Sequence, residues 1–212
     1  MSSKGQAIAA RLAKLVWFVS LALVVTYAAI CGYTRNGIGG WVLGLVAGAL
    51  GGAMYASRRS YGRYLYARLG PGSPGQCLGH MFSRAFGASD FTHFWQYWNP
   101  FLGYFLGYFC YAPLRRFAPR SLCLIITFAV NGFFFHDLVY LWPWGIARTE
   151  RLPFPFPVFT LCLVMIAGII LVTERYHLTL AHLSFRRRVA CHLLALVGPF
   201  AFSVGILILT RL

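Results

Sequence analysis

Six stretches without a charged side chain divide this sequence, at residues 15–34, 36–57, 91–114, 121–136, 152–173 and 189–210, and five of them have 20 residues or more. A helix needs about 20 predominantly apolar residues to cross the hydrocarbon core of a bilayer. A soluble domain of 212 residues, 59% hydrophobic and 11% charged, has too little polar surface to cover so many apolar side chains. The chain therefore reads as an all-α polytopic membrane protein, a single membrane domain over residues 1–212.

The charges that do occur are one-sided: 19 basic and 4 acidic residues give a net charge of +15. On a soluble protein this excess points to nucleic acid or another anionic surface. Beside membrane spans it sets orientation, because lysine and arginine collect on the cytoplasmic side. With spans at about 15–34, 36–57, 121–142, 154–173 and 189–210, and 91–114 either re-entrant or interfacial, 15 basic residues share the side of the N-terminus. They are the groups Lys4 to Lys14, Arg58 to Arg84, Arg115 to Arg120 and Arg175 to Arg188, and only Arg35, Arg148, Arg151 and Arg211 lie opposite. A crossing at 91–114 reduces the contrast to 11 against 8. The expectation is five spans, a cytoplasmic N-terminus and no nucleic-acid partner. The 91–114 segment fits this reading, since 11 of its 24 residues are aromatic and such rings favour the boundary between lipid and water. The first run follows basic residues as a signal peptide does, but it is too long and lacks a small-residue cleavage pattern. It reads as the first span.

Within the second run Gly40, Gly44, Gly48 and Gly52 recur every fourth residue, which puts four positions without side chains on one helix face and predicts close helix packing. The six cysteines, at 31, 77, 110, 123, 162 and 191, have no close pair spacing and read as small buried apolar groups, with neither a disulfide nor a zinc framework. His177 and His182 lie roughly 140° apart around a helix, poor geometry for gripping one metal ion. No metal site is expected. Arginines on either side of them make a loop facing lipid headgroups the simpler reading.

His136 differs because it follows Phe133, Phe134 and Phe135 in an otherwise apolar span. Ionisable groups at that depth are costly and point to function. Burial disfavours the imidazolium, leaving a neutral ring that can act as a general base near pH 7. The competing reading is a histidine that only hydrogen-bonds a neighbouring helix. Adjacent residues of an α-helix point roughly 100° apart, so Asp137 is not expected to orient His136, whereas Tyr140, four residues on, shares its face.

The aromatic segment runs Phe94, Trp95, Gln96, Tyr97, Trp98, Asn99, Pro100 and ends Tyr111, Ala112, Pro113, Leu114. It resembles the membrane-bound O-acyltransferase family, in particular the bacterial branch that acylates cell-envelope polymers, in which an F-W-x-x-W-H motif leads through an aromatic helix to Y-x-P-L. Phe94, Trp95, Trp98, Leu102, Leu106, Tyr111, Pro113 and Leu114 stand at the family's spacing, and Gly132, Phe133, Phe134, Phe135, His136 resemble its downstream glycine–aromatic–histidine pattern. The likeness covers roughly residues 90 to 145, in a chain about half the family's usual length. Asn99 stands where the bacterial branch usually has histidine, although the sterol and diacylglycerol branch carries asparagine there. Gln96, Tyr97, Gly107, Tyr108 and Asp137 also depart from the pattern. Asn99 before Pro100 is in addition a good helix start, as N-cap and first helical residue.

The resemblance implies an acyl group moved from a thioester-type donor, a co-substrate and not a bound cofactor, to a hydroxyl acceptor on a lipid or envelope polymer. It implies His136 as catalytic base, Asn99 as a second catalytic group and Trp95 and Trp98 as substrate-lining residues, in a bacterial inner membrane; Tyr140, on the His136 face, is expected to line the substrate with them. The short length raises two further expectations. One is a second membrane chain or a homo-oligomer to complete a tunnel; the other is a catalytically inactive accessory or scaffold protein related to acyltransferases.

Overall fold

A computed structural model describes residues 58–141, 152 and 155–211. The expected spans 15–34 and 36–57, with their glycine stripe, lie outside the described residues. Among those residues all regular structure is helical, with no strand, and they fall into two compact units, one ending at Met81 and one beginning at Phe82.

In the first unit, α1 (Arg58–Leu69) buries Tyr61, Leu65 and Leu69, spaced four apart, along one face. It ends at Gly70, whose φ of 77° suits glycine. The next helix, α2 (Pro74–Phe86), opens on a reciprocal cap: the Ser73 N–H donates to Gln76 Oε1 at 2.8 Å, and the Gln76 N–H donates to Ser73 Oγ at 3.4 Å. Pro74 takes the first helical position, where its missing N–H costs nothing.

The second unit begins with α3 (Phe91–Tyr97) and α4 (Pro100–Phe105), the latter continuing through a π-helical stretch, Leu106–Tyr111, into the short turn Ala112–Leu114. Next, α5 (Arg120–Gly132) passes into a second π-helical stretch, Phe133–Leu141, so that the chain is helical over 120–141. The last two helices are α6 (Val158–Arg175) and α7 (Phe185–Leu209), both long and apolar enough to cross a membrane. Only 33% and 22% of their apolar windows is buried, unlike the core helix of a soluble protein. Val197, Phe202 and Ile208 are among the exposed apolar side chains of α7.

The core of this unit lies where α5, α6 and α3 meet. Cys162, Leu163, Ile166, Ala167 and Ile170 of α6 pack with Phe128 of α5, and Trp95 closes the cluster from α3. The α7 stripe of His192, Pro199, Ser203 and Leu207 is buried. Of the described cysteines, Cys77, Cys123 and Cys162 are buried, as expected, whereas Cys110 and Cys191 are half-buried.

Candidate functional site

His136 sits in the second π-helical stretch, and the winding decides its surroundings. In an α-helix, residues five apart point roughly 140° away from each other, whereas the i→i+5 hydrogen bonding of a π-helix stacks them. Asn131 and His136 are such a pair: His136 Nδ1 donates to the Asn131 carbonyl at 3.0 Å. A carbonyl only accepts, so Nδ1 carries the hydrogen, and in the neutral ring Nε2 holds the lone pair. The ring rests tilted against Phe159 of α6, with centroids 5.1 Å apart, and is half-buried. Asn131 is itself buried, and its side-chain Oδ1 has no hydrogen-bond partner among the described residues.

Gly132 and Asp137 form the other pair five apart, and both face the start of α6. A Cβ on Gly132 would stand 2.4 Å from Thr160 Cα, so the backbones touch there and no larger residue fits. Asp137, wholly buried, accepts from the Phe159 N–H at 2.8 Å, the Thr160 N–H at 2.8 Å and the Thr160 hydroxyl at 2.7 Å. Pro157, at the cap position of α6, offers no side-chain acceptor. Asp137 supplies it from the neighbouring helix, satisfying two otherwise orphaned N–H groups at the positive end of α6. The one acid inside the expected spans is thus a helix cap.

Asn99 occupies the start of α4, in a left-handed conformation with φ of 45°, which asparagine tolerates better than most residues. Its Oδ1 accepts from the Leu102 N–H at 3.3 Å and Pro100 follows as first helical residue, which is the capping role expected of the pair. The Asn99 side chain is exposed. Trp95 and Trp98 are both half-buried in aromatic packing. Trp95 meets Phe128 edge-on at 5.0 Å, while Trp98 stacks on Phe94 at 5.4 Å and receives the edges of Phe82 and Phe86. The structure thus keeps the two tryptophans with α3 and its packing partners, and His136 with Asn131 and the α6 start. The side chain of Tyr140 lies outside the described residues.

A fully buried histidine escapes sequence reasoning. His192 of α7 is 1% exposed, bonds the Ala88 carbonyl through Nε2 at 3.1 Å and stacks on Phe94 at 4.7 Å, so that Phe94 is sandwiched between His192 and Trp98. One turn earlier, Arg188 donates to the Gly87 carbonyl at 2.7 Å.

A polar clasp closes this end of the unit. Glu174, in the last turn of α6, accepts from the Thr92 hydroxyl at 2.6 Å and pairs through both carboxylate oxygens with Arg120, the first residue of α5. Thr92 and Arg120 thereby meet at the end of one helix, although the whole aromatic segment separates them in sequence. Beside the clasp lies a cleft of about 280 Å³ lined by Asp90, Thr92, Thr173, Glu174, His177, Leu178 and Thr179. Asp90 caps α3 through the His93 N–H at 2.8 Å. Burial pushes the Asp90 carboxyl up, but hydrogen bonds from the His93 N–H and ring and from Ser89 outweigh it and hold the group below the usual carboxylate range.

Comparison of the chain with protein-family models, with curated proteins and with solved structures gave no match in any of the three.

Proposed function

We propose that this protein is a membrane-embedded acyltransferase of the bacterial inner membrane that moves an acyl group from a thioester donor to a hydroxyl acceptor on a lipid or envelope polymer, with His136 as general base. The observation that carries the proposal is the bond from His136 Nδ1 to the Asn131 carbonyl, because it directs the basic lone pair to Nε2 and fixes the ring within an apolar helix. In the reaction Nε2 takes the hydroxyl proton as the alcohol oxygen attacks the acyl carbonyl. The C–S bond then breaks, and the leaving thiolate takes the proton back from the imidazolium. With its own Oδ1 engaged in the cap, Asn99 has its amide N–H groups left to position a part of the donor remote from the reacting carbonyl. His136 lies roughly 22 Å along the helix from Ser121 at about 1.5 Å per residue. With Asn99 at the membrane face from which that helix starts, the arrangement suits a long donor reaching from one group to the other, with Trp95, Trp98 and Tyr140 along its path.

The membrane arrangement belongs to the same proposal: one membrane domain with five spans, a cytoplasmic N-terminus, and 91–114 entering and returning. The joint attachment of Thr92 and Arg120 to Glu174 supports it, since a segment that crossed would carry its two flanks to opposite faces. The exposed apolar sides of α6 and α7 support a lipid surround. A second copy or another membrane chain completes the tunnel.

Purified protein in lipid, offered thioesters and several alcohols, should transfer the acyl group, and His136→Ala should reduce transfer at least 10²-fold, the lower end of general-base contributions, with unchanged expression. Undiminished transfer in the variant overturns the assignment. The accessory or scaffold reading has its own support, because Trp95, Trp98, Gly132 and Asp137 all serve packing or capping. Absence of turnover by the unmodified protein across all donors selects that reading.

A further inference from the structure

The connection between α6 and α7 is held by its inner side and bare on its outer side. Three consecutive main-chain carbonyls receive it: Gly87 from Arg188, Ala88 from His192, and Ser89 from both the Leu180 N–H at 2.6 Å and the Thr179 hydroxyl at 3.1 Å. The turn within it is set by His177, whose φ is 52°. A loop anchored at so many points keeps a fixed outer surface. That surface carries Tyr176, Leu178 and Phe185, at 69%, 55% and 51% exposure, and the exposed cations Arg175, Arg186 and Arg187. Of the two acids beside this group, Glu174 is paired with Arg120 and Asp90 is engaged by His93 and Ser89, so the charge directed outward is that of the arginines. The loop joins the two helices long and apolar enough to span a bilayer, which puts its exposed rings at the depth of the lipid headgroups.

We infer that this loop is a preorganised docking surface for an anionic lipid leaflet, with Tyr176, Leu178 and Phe185 entering the headgroup boundary and Arg175, Arg186 and Arg187 binding lipid phosphates. Basic residues close to a membrane surface gain from anionic headgroups, and the gain falls off within a Debye length. Amphipathic rings hold at that depth because one side favours lipid and the other water. The inference requires only that α6 and α7 span, and it stands whether or not the protein transfers acyl groups.

The test uses the full chain extracted from membranes of mixed phosphatidylglycerol and phosphatidylcholine, with retained lipid counted per chain. The unmodified protein should retain phosphatidylglycerol in several-fold preference, and high salt should weaken that preference. R186Q/R187Q should remove most of it, while R186K/R187K should keep it. R115Q/R116Q, an equal charge change at exposed arginines outside the loop, should remove clearly less of it. Equal loss in R115Q/R116Q would reduce the effect to net charge, and equal loss in R186K/R187K would trace it to a disturbed fold; either overturns the inference. So does unchanged lipid retention in R186Q/R187Q, including the case in which that variant instead loses a copurifying protein.

Discussion

Two histidines of the C-terminal unit each hold a main-chain carbonyl, His136 that of Asn131 five residues back and His192 that of Ala88 on a distant part of the chain. His192 is almost completely buried, one ring face against Phe94 and the edge of Phe91 beside it at 5.1 Å. His136 is half-buried and tilted against Phe159, and the Asn131 that holds it keeps a side-chain oxygen with no partner among the described residues. The same hydrogen bond therefore serves two ends. At His192 it is one strand of a dense aromatic packing, and nothing can approach the ring without dismantling it. At His136 it orients a ring that packing leaves partly open.

The first way to break this contrast is to remove what shapes the His136 turn without touching His136. Asp137→Ala leaves two N–H groups at the start of α6 without their acceptor and should cost about 3 kcal/mol or more, at 1–3 kcal/mol for each buried group left unsatisfied. Asp137→Asn, which still accepts, should cost less. Gly132→Ala forces a Cβ into the Thr160 backbone and should cost about 1–3 kcal/mol as overpacking. Thermal melting in detergent reads all three. Neutral results would mean that the π-helical turn does not depend on its contact with α6, and the case for an oriented His136 would weaken with it.

The His192 side predicts the opposite division between stability and chemistry. His192→Ala should cost about 2–4 kcal/mol through a cavity and a lost hydrogen bond, and His192→Phe, which restores ring volume, about half as much. Transfer per folded molecule should be unchanged in both. A folded His192→Phe protein without activity would place chemistry at His192 and end the contrast.

How far this contrast was legible in the sequence depends on how local its causes are. The helices Val158–Arg175 and Phe185–Leu209 follow from uninterrupted apolar runs, and the Asn99–Pro100 cap from two adjacent residues whose preferences agree. His136 stood out because it follows Phe133, Phe134 and Phe135 in an otherwise apolar span. The capping of α6 by Asp137 was hidden, because a period of 3.6 residues turns Asp137 away from Gly132, and only the π-helical winding brings the two together on α6. Nothing in the order of residues announces that winding. His192 was invisible for another reason: its partner Ala88 lies 104 residues away, and a histidine in an apolar run carries no mark of which distant carbonyl it will meet. The clasp of Thr92, Arg120 and Glu174 was hidden in the same way.

That clasp joins α3, whose Phe91 and Phe94 pack on His192, to α5, which runs on to His136, and Glu174→Gln tests how strongly. The pair is partly exposed, with side chains of Arg120 and Glu174 at 46% and 29% accessibility, so the loss should stay within about 1 kcal/mol, as for exposed ion pairs, and should shrink further at high salt. A loss several times larger, insensitive to salt, would make the clasp a determinant of the fold and tie the two regions together.

The smallest effect is expected at Asp90, whose carboxyl is held below its usual range. A group so lowered contributes its full stabilisation above the ordinary aspartate value, about 3.9, and loses it as the pH falls through the lowered value of the folded state. Asp90→Asn removes the charge and with it this dependence. The difference in melting temperature between the unmodified protein and the variant should therefore be level from pH 7 to about pH 5 and shrink below about pH 4. Because Asp90 caps α3 and adjoins the Ser89, Ala88 and Gly87 carbonyls that anchor the α6–α7 loop, the same variant separates two possibilities. A change confined to stability keeps this end structural, as His192 predicts. A change in acyl transfer at equal folded fraction would mean that the aromatic end shares in the chemistry assigned to His136.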